Sequence, residues 1–174
     1  MFTAKEGFRT RAVINDMKIV QYNWEEHKAA AEAFSRKIYY PNFWEDPKVF
    51  KTKLDLYPEG CFAYTAGGIC VGYVFSHPWV KSRVVELGED IVAIPDNSDT
   101  YYIHDLAVSP DFRGLNIGSY LACAVLDVAK KHGFKDVTLV SVLNSDPFWE
   151  KFGFVKIGKL IYGKFPAYVM VKSF

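Results

Sequence analysis

The chain has 174 residues, 50% hydrophobic and 17% aromatic, with a formal net charge of +1. That length buries a real core and is expected to form one domain over residues 1–174, while the near-neutral balance, with no basic stripe, argues against a nucleic-acid partner. No apolar run approaches the roughly 18 residues that span a bilayer, and the first residues lack the apolar stretch of a secretory signal, so a cytoplasmic protein without membrane contact is expected.

Residues 1–16 carry little pattern and are read as either unstructured or a short edge strand. Met17 to Tyr22 alternates as a first strand. Asn23 then caps a helix, with Glu26 placed to complete a capping box; the alanine-rich stretch Trp24 to Tyr39 follows. Asp46-Pro47 restarts a helix as N-cap and first-turn proline. Its apolar face is Val49, Phe50, Leu54 and Tyr57, and Pro58-Glu59-Gly60 ends it.

Cys61 to Thr65 and Ile69 to Ser76 read as a hairpin turning on Ala66-Gly67-Gly68, with Pro78 ending the second strand. Lys81 to Thr100 is irregular and long for a connection, and such connections are often functional. Tyr101 to Val108 is a strand rich in aromatic and β-branched residues. A helix runs from about Ile117 to Lys131, with Gly133 as its C′ residue. Val137 to Val142 is a central strand, a short helix starts at Asp146-Pro147, and Phe154 to Leu160 and Ala167 to Lys172 complete the set. The fold class expected is α/β in three layers: a mixed, mostly antiparallel sheet with helices on both faces.

Between strand and helix lies Arg113-Gly114-Leu115-Asn116-Ile117-Gly118-Ser119. Its run of backbone N–H groups at a helix N-terminus, beside one fixed cation, suits a phosphate. No lysine follows in G-K-[ST] form, so a P-loop nucleotide site is excluded. Cys61, Cys70 and Cys123 are odd in number and far apart, with no C-x-x-C pair. They read as reduced, buried thiols, and no metal site is expected.

Four motifs in this order resemble the GNAT superfamily of N-acetyltransferases. They are the hairpin around Phe62–Tyr73, Asp105-Leu106-Ala107-Val108-Ser109-Pro110, the loop Arg113-x-x-Asn116-x-Gly118, and Asn144 followed by Phe148-Trp149-Glu150-Lys151-Phe152-Gly153-Phe154. The resemblance implies acetyl-coenzyme A as co-substrate and no metal. It implies a fourth and fifth strand that splay, with the pantetheine arm bonded to Leu106, Ala107 and Val108. The pyrophosphate would lie on Gly114, Leu115, Asn116, Ile117, Gly118 and Ser119 with Arg113 beside it, and Asn144, Phe148 and Lys151 would border the coenzyme. Two positions depart from the family pattern. Asn116 replaces a glycine, which asparagine's tolerance of left-handed backbone accommodates. Trp149 stands where many relatives carry a tyrosine acid, and an indole cannot serve as that acid.

His104-Asp105-Leu106-Ala107-Val108 is similar to the H-x-L-A-V motif of arylalkylamine N-acetyltransferases, in which the histidine joins a proton path. His104 is therefore either a catalytic base or a hydrogen-bonded core histidine. Tyr102, two residues earlier, either extends the path or simply packs. By strand alternation His104 shares a face with Leu106, while Asp105 points to the opposite face. His27, His77 and His132 read as a helix surface, a strand end and a helix C-terminus. Tyr39, Tyr40, Phe43, Trp44 and Trp79 either wall an acceptor pocket or finish a small core, and Glu86, Glu89 and Asp90 read as a solvated face. The expected reaction is direct acetyl transfer to a primary amine of a small molecule, in an enzyme whose relatives are often homodimers. A protein or peptide N-acetyltransferase and a non-catalytic acyl-coenzyme A-binding module are the alternatives.

Overall fold

The computed structural model describes residues 16–174, so the edge strand considered for the first residues lies outside the described residues. β1 (Met17–Gln21) leads to Asn23, whose side chain accepts from the N–H groups of Glu25 and Glu26 and so caps α1 (Trp24–Tyr39). The reciprocal half of the box is different from expectation. The Asn23 N–H donates to His27 Nδ1 at 3.0 Å, and His27 is buried, not a surface residue. Asp46 caps α2 (Pro47–Leu56) through the Lys48 N–H, and a 3-10 turn at Pro58–Gly60 closes it.

β2 (Cys61–Ala66) and β3 (Ile69–Trp79) form the expected hairpin. β3 continues through Pro78, which lies opposite Tyr101 on β4 (Thr100–Val108). His77 is therefore inside a strand, fully buried, with Nδ1 2.9 Å from the Pro78 carbonyl. α3 (Ile117–Lys131), β5 (Asp136–Ser141), α4 (Asp146–Glu150), β6 (Val155–Tyr162) and β7 (Phe165–Ser173) follow. α3 ends as expected. Gly133 N–H bonds to the Lys130 carbonyl and Phe134 N–H to that of Ala129, a Schellman closure that satisfies the last carbonyls.

The seven strands are ordered β1-β2-β3-β4-β5-β7-β6, and β4–β5 is the single parallel pair in that sheet. α3 packs on one face, where Ile117, Leu121 and Val125 meet Val71, Val74 and Ile103. Gly72 makes that approach possible, because a Cβ there would stand 3.0 Å from Ile117 and 3.2 Å from Leu121. α1 and α2 cover the other face, with Phe34 and Leu54 against Tyr73, Phe75 and Ala107. Cys61 and Cys70 lie in this second core, where burial pushes both thiols up to about 12. Cys123 corrects the expectation of three buried thiols, since it is exposed on α3.

Candidate active site

Two features of β4 create the site. The first is its short pairing with β5, which covers only Tyr101 to Ile103 opposite Val137 to Leu139. Beyond Ile103 the strands part, leaving the β4 edge from His104 to Val108 unpaired on that side. Into the opening face Leu106, Ala107, Val108, Arg113, Val142, Phe148 and Trp149, around a cavity of about 210 Å³. The second feature is a bulge. Phe75 lies opposite Asp105 and Ser76 opposite Ile103, so His104 is the extra residue on β4. A bulge shifts the alternation by one. His104 and Asp105 consequently both face α1 and α2, while Leu106 turns toward the α3 core. The expectation that His104 shares a face with Leu106 and opposes Asp105 is overturned for this reason.

His104 Nε2 lies 2.9 Å from Glu45 Oε2, and neither side chain reaches solvent appreciably (0% and 6% exposed). The second carboxylate oxygen of Glu45 accepts the Gly88 N–H at 2.8 Å. Burial opposes charge on Glu45, but the His104 charge and hydrogen bond, the Gly88 bond and Lys53 together hold its carboxyl below the usual range. An ionised carboxylate keeps a proton on Nε2, so when the ring is neutral Nδ1 is the basic nitrogen. Nδ1 is buried and has no hydrogen-bond partner among the described residues.

Asp105 is held by two phenols: Tyr39 donates to Oδ1 at 2.6 Å and Tyr73 to Oδ2 at 2.7 Å. Burial pushes its carboxyl up to about 6 in spite of both bonds. The Tyr39 hydroxyl also lies 3.2 Å from the Leu106 carbonyl. Glu45, His104, Asp105, Tyr39, Phe43 and Tyr162 line an inner cavity of about 60 Å³, which meets the β4–β5 opening at Leu106 and Trp149. Glu45 belongs to no motif, and strand alternation turns Asp105 away from the site. The available signal for Glu45 was an acid at the end of an aromatic connector, directly before a helix cap.

Tyr102 does not extend from His104. It is buried among Trp79, Val85 and Ile91, and the Val85 backbone engages its hydroxyl. Trp79 belongs to the same small core. The connector aromatics divide: Tyr39 and Phe43 face the inner cavity, whereas the Arg36 guanidinium lies over the rings of exposed Tyr40 and half-buried Trp44, at 5.6 and 4.3 Å. Glu89 and Asp90 are not merely solvated, since Glu89 pairs with Arg83 and Asp90 with Lys48 at 3.2 Å.

At the α3 N-terminus, Asn116 adopts φ 59° and ψ 14°, with no side-chain cap bond, and Gly114 has φ 82°. The left-handed asparagine performs the turn a glycine would. The first amides of α3, at Ile117, Gly118 and Ser119, are the donors such a helix end offers to an anion. Arg113 is exposed at the opening and Leu115 is half-buried, while Asn144 and Lys151 are exposed away from its lining, Asn144 bordering a cavity with Phe43 and Phe165. Phe148 packs against Gly118, where a Cβ would stand 3.4 Å from its ring. Trp149 is buried at the back of the opening, its ring 5.5 Å from Phe154. Among the described residues, no group of three or more potential ligands could hold a metal ion, and no helix is long and apolar enough to cross a membrane.

A model of the acetyltransferase (GNAT) family matches residues 21–154. The chain belongs to that family, and as a member it is an N-acetyltransferase whose donor is acetyl-coenzyme A.

Solved structures agree on the fold. Arabidopsis thaliana Naa50, in complex with the bisubstrate analogue CoA-Ac-MVNAL, is 21% identical with a TM-score of 0.67, over 91% of this chain and 99% of that one. Ard1 from Thermoplasma volcanium is 19% identical with a TM-score of 0.69, over 90% and 97%. An N-acetyltransferase from Staphylococcus aureus Mu50 is 18% identical with a TM-score of 0.70, over 91% and 98%. No curated protein sequence matches the chain.

Proposed function

We propose that this enzyme acetylates the primary amine of a small molecule by direct attack in a ternary complex. The coenzyme enters along the β4–β5 opening. Its pyrophosphate lies on the α3 amides with Arg113 beside it, and the edge of Leu106 to Val108 bonds to the pantetheine arm, because such an edge has N–H and C=O groups to offer. Asn144, Phe148 and Lys151 border it. The thioester then ends at the inner cavity. There the neutral amine nitrogen attacks the carbonyl carbon, the N–C bond forms, the C–S bond breaks and coenzyme A departs. His104 Nδ1 accepts the amine proton, oriented by Glu45 as a base is oriented by a third group. Trp149 cannot protonate the leaving sulfur. Tyr39 and Ser145 are hydroxyls bordering both cavities, and Tyr39→Phe tests whether a phenol supplies that proton: a slower chemical step with unchanged KM for acetyl-coenzyme A supports it.

The observation that carries the small-molecule reading is the contact across the acceptor side. Phe43 of the α1–α2 connector and Phe165 of the β6–β7 hairpin stand 5.4 Å apart, and the hairpin turn at Gly163 lies close against Leu87 of the 80–99 segment. An extended peptide needs an open groove at that place. Thiol release from acetyl-coenzyme A, measured over matched panels of small primary amines and peptide N-termini, decides the matter. Turnover on small amines with none on peptides is expected; preference for peptides overturns the reading. Binding of acetyl-coenzyme A without turnover on either panel would leave a binding module.

A further inference from the structure

The irregular segment 80–99 reaches into the site by one backbone group. Gly88 N–H donates to Glu45 Oε1 at 2.8 Å, while Glu45 Oε2 meets His104. The turn that presents this N–H is tied down on three sides. Glu89 accepts the Glu86 N–H at 2.9 Å and pairs with Arg83. Asp90 pairs with Lys48 of α2. Beneath the turn, Lys53 of α2 has no exposure, and its Nζ donates to the Glu89 carbonyl at 3.1 Å and lies 3.4 Å from that of Val49. A fully buried lysine is rare without a partner, and among the described residues its Nζ bonds two backbone carbonyls.

We propose that Lys53 is a positioning residue for acetyl transfer: it latches the Glu86–Asp90 turn so that Gly88 holds Glu45 against His104. The segment is then a working wall of the active site. The chain of contacts runs from Lys53 Nζ to the Glu89 carbonyl, through one peptide to Gly88 N–H, then to Glu45 and His104. Lys53 also contributes directly, as a cation that helps keep Glu45 ionised against its burial. The charged and titratable groups that act on Glu45 are His104, Asp105 and Tyr102 from β4, Lys53 from α2, Tyr39 from α1 and Tyr162 from β6, while His77, Glu89 and Asp90 act on Lys53 behind it. Lys53 is the lysine of this group, so its loss removes one of the influences that hold the Glu45 carboxyl down, beside His104 and the Gly88 N–H.

The inference rests on the reading of His104 and Glu45 as the proton-accepting pair, and the test separates the two. Full-length Lys53→Met, Lys53→Arg, Glu89→Ala, Glu45→Gln and His104→Ala are compared with wild type, using acetyl-coenzyme A and the best small amine of the panel. Lys53→Met is expected to leave the KM for acetyl-coenzyme A unchanged. It lowers kcat about tenfold, since small misplacements of reacting groups are costly, and moves the acid limb of the kcat/KM profile to higher pH. Lys53→Arg restores most of the rate, and Glu89→Ala shows a smaller loss in the same direction. Wild-type kcat and pH profile in Lys53→Met, with Glu45→Gln impaired, overturn the inference alone. Full activity in both Glu45→Gln and His104→Ala overturns the pair and the inference with it. Should Lys53→Met fail to fold, Lys53→Gln, which is shorter and uncharged, carries the test, and wild-type kcat with an unshifted profile there overturns the proposal.

Discussion

The two ends of the proposed site, one for the coenzyme and one for the acceptor, are built in opposite ways. The coenzyme end comes from neighbours in sequence: β4, the Arg113–Ser119 loop and α3 follow one another, and β5 and α4 come next. The acceptor end is assembled from three remote connectors, one carrying Phe43 and Glu45, one Leu87 and Gly88, one Tyr162 and Phe165, all meeting around a bulge on β4. Backbone groups dominate the first, so its chemistry tolerates side-chain drift. Side chains dominate the second, so single substitutions there should change what the enzyme does.

The sharpest test of that contrast is His104→Ala. Loss of a positioned base typically costs about 10²–10⁴-fold, so kcat should fall in that range while the KM for acetyl-coenzyme A holds. A loss shared equally between the two substrates would dissolve the distinction between the ends.

Asp105 offers a stability measurement at the junction. Its carboxyl is pushed from 3.8 up to about 6 by burial. Between those values the folded state binds the extra proton, so this group's contribution falls as pH rises. In Asp105→Asn that fall disappears. Relative to wild type the variant should gain stability from about pH 4 to 6, by on the order of 1–3 kcal/mol, read as a widening gap in thermal midpoints. A constant gap would show that Asp105 does not titrate in this window.

Arg113→Ala probes the coenzyme end. One charge-assisted contact to a phosphate is worth roughly 1.5–3 kcal/mol, reduced here by exposure. About a tenfold rise in the KM for acetyl-coenzyme A is expected, weakening with added salt, with kcat little changed. An equal effect on the amine's KM would place Arg113 elsewhere.

Phe43→Ala should have the smallest effect on rate and a distinct one on selectivity. Removing the ring opens the contact with Phe165, so amines with bulkier bodies should gain several-fold relative to slender ones in kcat/KM, within the roughly 1–3 kcal/mol that apolar pocket contacts supply. An unaltered ranking over the panel would mean that the acceptor does not pass this point.

Much of the molecule was legible in the sequence where physics is local. The Asn23 and Asp46 caps, the α3 span and the left-handed Asn116 follow from capping and backbone preference within a few residues. The misreadings have tertiary causes. His27 reads as a helix-surface residue from its local spacing, but it is buried beside Tyr22 at 5.3 Å between ring centroids. Pro78 does not end β3, because pairing with β4 carries the strand past it. Asp105 was assigned to the wrong face because one extra residue in β4 inverts every later side chain.

Sequence by itself determined the order of elements, the family resemblance and the open helix end proposed for the pyrophosphate, because each depends on contiguous residues or on spacing. Tertiary structure decided which groups face the chemistry. Glu45, Gly88 and His104 stand far apart along the chain, and nothing local to any of them specifies the others. They meet through the bulge that turns His104 and Asp105 to one face and through the buried Lys53 that ties the turn carrying Gly88 to α2. Strand register and burial are properties of the packed sheet, so the acceptor chamber exists only once the chain has folded around it.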